Sequence, residues 1–229
     1  MKGMLVYHYT HFDDLRRIFD MGGTSRSGLR ARRRMGHYDL EAFQTGAVFA
    51  LLEPTPKDWV GNQDFPGIWQ FLKEAIGPLL LEVAVDVHSK DAFVVDRGHM
   101  EGVFYQGIPE ARIPMPYAHI TQEEAERAYI HSKIPLADYL QRRGELSYSL
   151  PEVIITDHVP LENVRIAEEQ PLIEERWEEY VDYRRTFLRT ETGAIPGLDR
   201  LHAKYAQKLQ ETWPHGAEGP PYRSRDMKG

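Results

Sequence analysis

The chain has no cysteine among its 229 residues. Disulfides, thiolate metal sites and cysteine nucleophiles are therefore excluded. It also lacks any apolar run approaching the length of about 18 residues that marks a membrane span, and its start carries no basic region followed by an apolar stretch. The expected setting is soluble and cytoplasmic, with no membrane partner. An excess of positive charge is missing as well: 28 Lys and Arg against 35 Asp and Glu leave a formal net charge of −7. That argues against nonspecific nucleic-acid binding through overall charge and leaves a local basic patch as the remaining route. The Gly-x-Gly-x-x-Gly turn, the phosphate loop, the His-Glu-x-x-His helix and the Gly-x-Ser-x-Gly elbow do not occur, so the common nucleotide, zinc and serine-hydrolase readings have no support. His119 and His131 lack metal-ligand spacing, and no metal is expected.

What is present suffices for one folded domain of moderate size, or one with an appendage: 41% of residues are hydrophobic and 11% aromatic. Residues 4–23, MLVYHYTHFDDLRRIFDMGG, predict a short apolar strand (Leu5, Val6, Tyr7) stopping at His8. A helix over 12–21 follows, with Thr10 as cap, Asp13 and Asp14 in its first turn, and Gly22-Gly23 as its stop. Its Leu15, Ile18 and Phe19 share one face. A histidine at the end of a buried strand, beside a helix start, is placed to meet a ligand; the plainer use is a satisfied polar residue. Residues 24–44 are polar and irregular and carry Arg26, Arg30, Arg32, Arg33 and Arg34. They form either a solvated loop or an anion-binding loop, since the planar guanidinium fork takes phosphate oxygens in pairs.

Residues 45–52 predict a buried strand, 54–66 a loop, and 68–76 a short helix stopped by Gly77-Pro78. The clearest strand is 79–87, with Leu81, Val83, Val85 and Val87 on one face. Another follows at 92–95, then Asp96-Arg97-Gly98-His99 as a structural polar turn and an irregular stretch at 102–116. Thr121 and Glu124 form a capping box that opens a helix over 121–130. A helix at 135–143 precedes Pro151-Glu152, which open a strand over 153–156. Asp157-His158 turn the chain, and 164–166 is the final strand. Charged helices are predicted at 174–189, with Trp177, Tyr180 and Val181 toward the body, and at 198–213; the remaining residues have the composition of a disordered tail. Short strands with scattered helices make an α+β pattern, not a regular βα alternation.

The segment YHYTHFDDLRRIFDMGG resembles the opening motif of ADP-ribosyltransferases, most of all the DarT family of toxins. The order that follows is also similar: GAVFALLEPTP, then GPLLLEVAVDVHSKDAFVVDRGHM, then SLPEVIITDHVPLENVRI, so that the likeness covers about residues 4–166. The resemblance implies a split mixed or antiparallel sheet core with peripheral helices. It divides the chain into a catalytic domain at 1–166, a helical extension at 167–213 and a tail at 214–229. It implies NAD+ as co-substrate, cleaved at the nicotinamide–ribose bond, with ADP-ribose passed to a macromolecule. Single-stranded DNA is the favoured acceptor, RNA or protein the alternatives, and an antitoxin a further partner. Glu152 would match the catalytic glutamate. His8 would meet a ribose, the Tyr9 main chain the carboxamide, and Thr10 would add a hydroxyl. One of Arg32, Arg33 and Arg34 would be the phosphate-binding or catalytic arginine, with Arg34 the catalytic choice. The stacking aromatic is Phe49, Tyr38 or Phe43. Two other readings stay open: an NAD-dependent RNA 2′-phosphotransferase, and a catalytically silent nucleotide- or partner-binding module.

Overall fold

The structure, a computed structural model, describes residues 3–19, 48–106, 113, 115–118, 121–187 and 195–213. Within them the fold is α+β, with two antiparallel sheets and surrounding helices. The first sheet has the order β1 (Met4–Thr10), β3 (Leu79–Val85), β7 (Val164–Ile166). The second has the order β2 (Val48–Ala50), β6 (Pro151–Ile155), β4 (Ala92–Asp96), β5 (Ile134–Pro135). No helix among the described residues is long and apolar enough to cross a membrane.

Among the described residues a single bridge joins the sheets. Tyr7 and Leu51 exchange both backbone hydrogen bonds, at 2.9 and 2.8 Å, and no further β1–β2 ladder is formed. The strand pleat sorts the side chains on either side of this seam. Val6, Val48, Ala50, Leu79, Leu81, Val83, Ala92, Val94, Val153 and Ile155 enter the main core. Tyr9, Leu51 and Leu80 point the other way, into a second core around Trp59 and Phe65.

Several predicted elements are present with small shifts. Helix α2 is Ile68–Ala75, α4 is Gln122–His131 and α5 is Leu136–Arg142. The Thr121 capping box has both its bonds. Three expectations differ. His8 does not end its strand: after leaving β2, β1 continues along β3 to Thr10, so His8 lies inside it opposite Leu81. Residues 12–14 form one 3-10 turn before α1 (Leu15–Ile18), and the rest of the predicted first helix lies outside the described residues. Gly98–Tyr105 is a helix, α3, where a turn and an irregular stretch were expected. Its two glycines hide it in the sequence, yet Gly102 is required by close approach: a Cβ there would lie 1.9 Å from the Tyr117 carbonyl oxygen.

The C-terminal helices α6 (Trp177–Phe187) and α7 (Leu198–Thr212) complete the main core. Tyr180, Tyr183, Leu198, Leu201 and Tyr205 join it, and the Phe12 and Tyr183 rings stack at 4.8 Å between centroids. Arg184 Nη1 lies 2.7 Å from His202 Nδ1. A guanidinium only donates, so Nδ1 accepts and the imidazole carries its proton on Nε2. Burial, and then the Arg184 charge, push His202 down from its ordinary 6.5 to about 4, against a smaller opposing pull from Asp199.

Three outcomes follow. Gly102→Ala should lower stability by about 3 kcal/mol in urea unfolding, since α3 and the Tyr117 backbone cannot both stay in place. Gly61→Ala should cost only about 1 kcal/mol, because φ is +69° but nothing lies within 4 Å of the added methyl. The neutral His202 of the folded chain should contribute stability that is fully present above pH 6.5 and is lost as pH falls toward 4. His202→Phe should flatten the unfolding free energy across that window; an unchanged pH slope would overturn this account.

Candidate functional site

Glu152 is the second residue of β6, the strand between β2 and β4, and stands opposite Val95. It points away from the main core, to the face where Val95, Met100, Ala125, Tyr129 and Ile154 cluster. Although only 4% exposed, it is paired on both oxygens. Oε1 accepts from Arg97 Nη1 at 3.1 Å, and Oε2 accepts from the Tyr129 hydroxyl at 2.9 Å. Arg97 in turn donates from Nε to Glu101 Oε1 at 2.7 Å, and its guanidinium lies 5.8 Å from the centre of the Trp59 ring. Glu101 is 2% exposed. One buried cation thus serves two buried carboxylates. Burial opposes the charge of Arg97, but Glu152 and then Glu101 outweigh it, and the guanidinium is held above its ordinary range.

The sequence places these groups by register. The β4–β6 ladder sets Asp96 opposite Pro151, so the residue after β4 emerges beside the start of β6. The Arg97 amide closes the junction by donating to the Leu150 carbonyl at 2.9 Å. Glu101 then comes one turn along α3, and Tyr129 one turn after Ala125 on the buried face of α4. The Trp59 indole donates to the Pro151 carbonyl at 3.3 Å and braces the same corner.

Asp96 has a different job. Oδ1 accepts from the amides of Gly98 (2.9 Å) and Leu150 (3.0 Å), and Oδ2 from the amide of Ser149 (3.1 Å) and the Tyr117 hydroxyl (2.5 Å). Four donors saturate it, so it ties the end of β4, the start of α3 and the approach to β6 together. Burial, then the Asp96 charge, raise the Tyr117 phenol well above its usual range. His99, also buried, packs its ring 5.2 Å from that of Tyr117.

The residues of β1 sit at the seam. His8 Nδ1 lies 2.7 Å from the Phe49 carbonyl oxygen. A carbonyl only accepts, so Nδ1 carries the proton and Nε2 is the ring's accepting nitrogen when neutral. The imidazole thereby takes the carbonyl that the next β1–β2 rung would have used. Because Tyr7 directs its backbone groups to β2, the two-residue period directs those of Tyr9 to the same side, beyond the bridge. The Tyr9 side chain is structural: its hydroxyl donates to the Pro54 carbonyl at 2.7 Å, its ring neighbours Trp69, and burial followed by the Glu175 charge raises its phenol far above the usual range. Thr10 donates to Asp14 Oδ2 at 3.3 Å instead of capping the helix. Phe49 is half-buried and packs against the Glu152-side cluster.

His8 and Glu152 are therefore near, but not in contact. Tyr7, Leu51, Glu152 and Val95 form one row across the sheets, with β2 between the two strands that carry His8 and Glu152. Two strand spacings put those backbones about 10 Å apart. The pleat sends Glu152 to one face and His8 to the other, and the His8 ring turns in to the Phe49 carbonyl at the plane of the seam. Arg32, Arg33, Arg34, Tyr38 and Phe43 lie outside the described residues. Among the described residues no group of three or more His, Asp or Glu side chains is placed to hold a metal ion.

No protein-family model matches this chain, and no curated protein or solved structure matches it.

Asp96→Asn turns one acceptor into a donor that faces N–H groups. It should cost about 3 kcal/mol or more in chemical denaturation. A loss within 0.5 kcal/mol, on the order of a surface substitution, would remove Asp96 from this anchoring role.

Proposed function

We propose that the protein cleaves NAD+ at the bond between nicotinamide and ribose and transfers ADP-ribose to a macromolecule, with a base of single-stranded DNA as the first acceptor to test. The reading rests on the resemblance of residues 4–166 to DarT-like ADP-ribosyltransferases. The observation that carries it is the seam. There the Tyr9 main chain and the His8 ring lie with only β2 between them and β6, whose Glu152 accepts on both oxygens from Arg97 and Tyr129.

Each part has chemistry suited to the reaction. The C1′–N bond breaks, its electron pair leaves with nicotinamide, and positive charge builds on the ribose. Glu152 supplies the compensating negative charge from a site of low polarity, where it acts more strongly than it would in water. A carboxylate has about four lone-pair sites. A ribose hydroxyl donating to this carboxylate would orient the sugar. The Tyr9 amide and carbonyl match the acceptor and donor of a carboxamide. The accepting nitrogen of His8 suits a ribose hydroxyl, and Phe49 offers a ring for stacking. The acceptor then forms the new bond to C1′ and gives up its proton. The guanidinium that would meet the pyrophosphate is assigned to Arg32, Arg33 or Arg34, with Arg34 the choice for a catalytic contact.

One observation favours the silent module instead: Glu152 is 4% exposed and engaged on both oxygens. Labelled NAD+ separates the two. Incubated with separate pools of single-stranded DNA, RNA and protein, the wild type should release nicotinamide and add the mass of ADP-ribose to one pool. Glu152→Gln, which keeps the shape but not the charge, should lower the rate at least about 100-fold while NAD+ still binds. Binding without nicotinamide release in every pool would establish the silent module. Full activity in Glu152→Gln would end the assignment.

A further inference from the structure

We propose that Arg97 and Glu101 are positioning residues for Glu152: Arg97, fixed by Glu101 and the Trp59 ring, holds Glu152 ionised and oriented, and Tyr129 sets its second oxygen. The inference rests on Glu152 being the carboxylate that meets the ribose.

The geometry carries it. An arginine that only neutralised Glu152 would need no second carboxylate. Here Glu101 takes the guanidinium by Nε at 2.7 Å, and Glu152 takes it by Nη1 at 3.1 Å. The shorter bond goes to the residue on the same helix, in an i,i+4 relation that fixes the fork before Glu152 is reached. Trp59 covers the guanidinium from the side and is anchored to β6 through the Pro151 carbonyl. Among the described residues the triad sets two carboxylates around one guanidinium, on the side of the sheet where Glu152 lies. Asp96 is saturated by four donors, Tyr117 donates to Asp96, and His99 packs on the Tyr117 ring. The Tyr129 hydroxyl is a donor to Glu152 itself. Arg97 is thus the cation in hydrogen-bond contact with both carboxylates.

The test follows the charge count. Arg97→Gln leaves two buried carboxylates and no cation among these groups. Arg97→Gln with Glu101→Gln restores a single net negative charge without the clamp. Proton uptake by Glu152 can be followed by NMR of glutamate-labelled protein, with Glu152→Gln to assign the signal. Arg97→Gln should bind the Glu152 proton at least about tenfold more tightly than wild type, and the double variant should fall between them. In nicotinamide release, Arg97→Gln should lose about 100-fold or more in kcat with KM for NAD+ within about threefold, and the acid limb of its rate profile should move to higher pH. Arg97→Lys should recover at least about tenfold of that loss. A purely structural arginine would lower the melting temperature and leave the Glu152 titration where it was; that result overturns the proposal. If Arg97→Gln does not fold, the double variant carries the same comparison, and a titration identical to wild type overturns the proposal equally. The titration arm needs no turnover. A wild type that releases no nicotinamide therefore counts against the NAD+ reading, while the coupling of Arg97 to Glu152 is judged separately.

Discussion

The corner of this fold that carries the candidate chemistry depends on one guanidinium shared between two buried carboxylates. Taking Arg97, Glu101 and Glu152 out of water is costly for each charge. The cost is offset only if every partner is in place, so the three residues constrain one another and everything that bears them. Arg97 belongs to the junction of β4 and α3, Glu101 to α3 itself, and Glu152 to β6. The Tyr129 hydroxyl adds α4 to the same set. Four elements distant in sequence are thereby held to a tolerance that apolar packing alone does not impose, because apolar contacts slide while a bidentate fork does not. The saturated carboxylate of Asp96 fixes the neighbouring backbone, so the ionic triad rests on a rigid corner.

The second organising feature is the seam between the sheets. A continuous sheet would have paired β1 with β2 along its length and closed the surface. Instead β1 stays with β3, and the His8 ring occupies the next acceptor on β2. A side chain has replaced a backbone rung, and that substitution lets the sheets diverge without leaving the Phe49 carbonyl unsatisfied. The seam and the triad are connected through β2 and β6, whose register places Leu51 in line with Glu152.

Much of the framework was legible in local pattern. The run LLLEVAV declared β3, and Thr121 with Glu124 declared the start of α4, because alternation and capping are written in neighbouring residues. Glu152 stood out because it opens an apolar strand directly after Pro151 and matches the glutamate of the resemblance. Arg97 did not, and the reason is physical. Its partners are 4 and 55 positions away, and the longer link exists only through the pairing of β4 with β6. A signal was nevertheless present: Asp96-Arg97 directly follows the apolar FVV of β4, and charges so close to a buried strand must find partners. The α3 helix that buries them was missed because Gly98 and Gly102 read as loop formers, whereas Gly102 is there to admit the Tyr117 carbonyl. His8 was read with the wrong boundary, since nothing local states that β1 outlives its contact with β2.

The helices α6 and α7 have a consequence for the order of events in synthesis. Tyr180, Tyr183, Leu201 and Tyr205 fill the same core as Val6 and Phe12, near the other end of the chain. As the chain leaves the ribosome, β1 therefore waits for a partner surface made almost 200 residues later, and contacts of that span form slowly. A nascent chain arrested before α7 would display the β1 seam with its underside unfilled. Whatever the seam and the triad do together, they can do it only once α7 has been made.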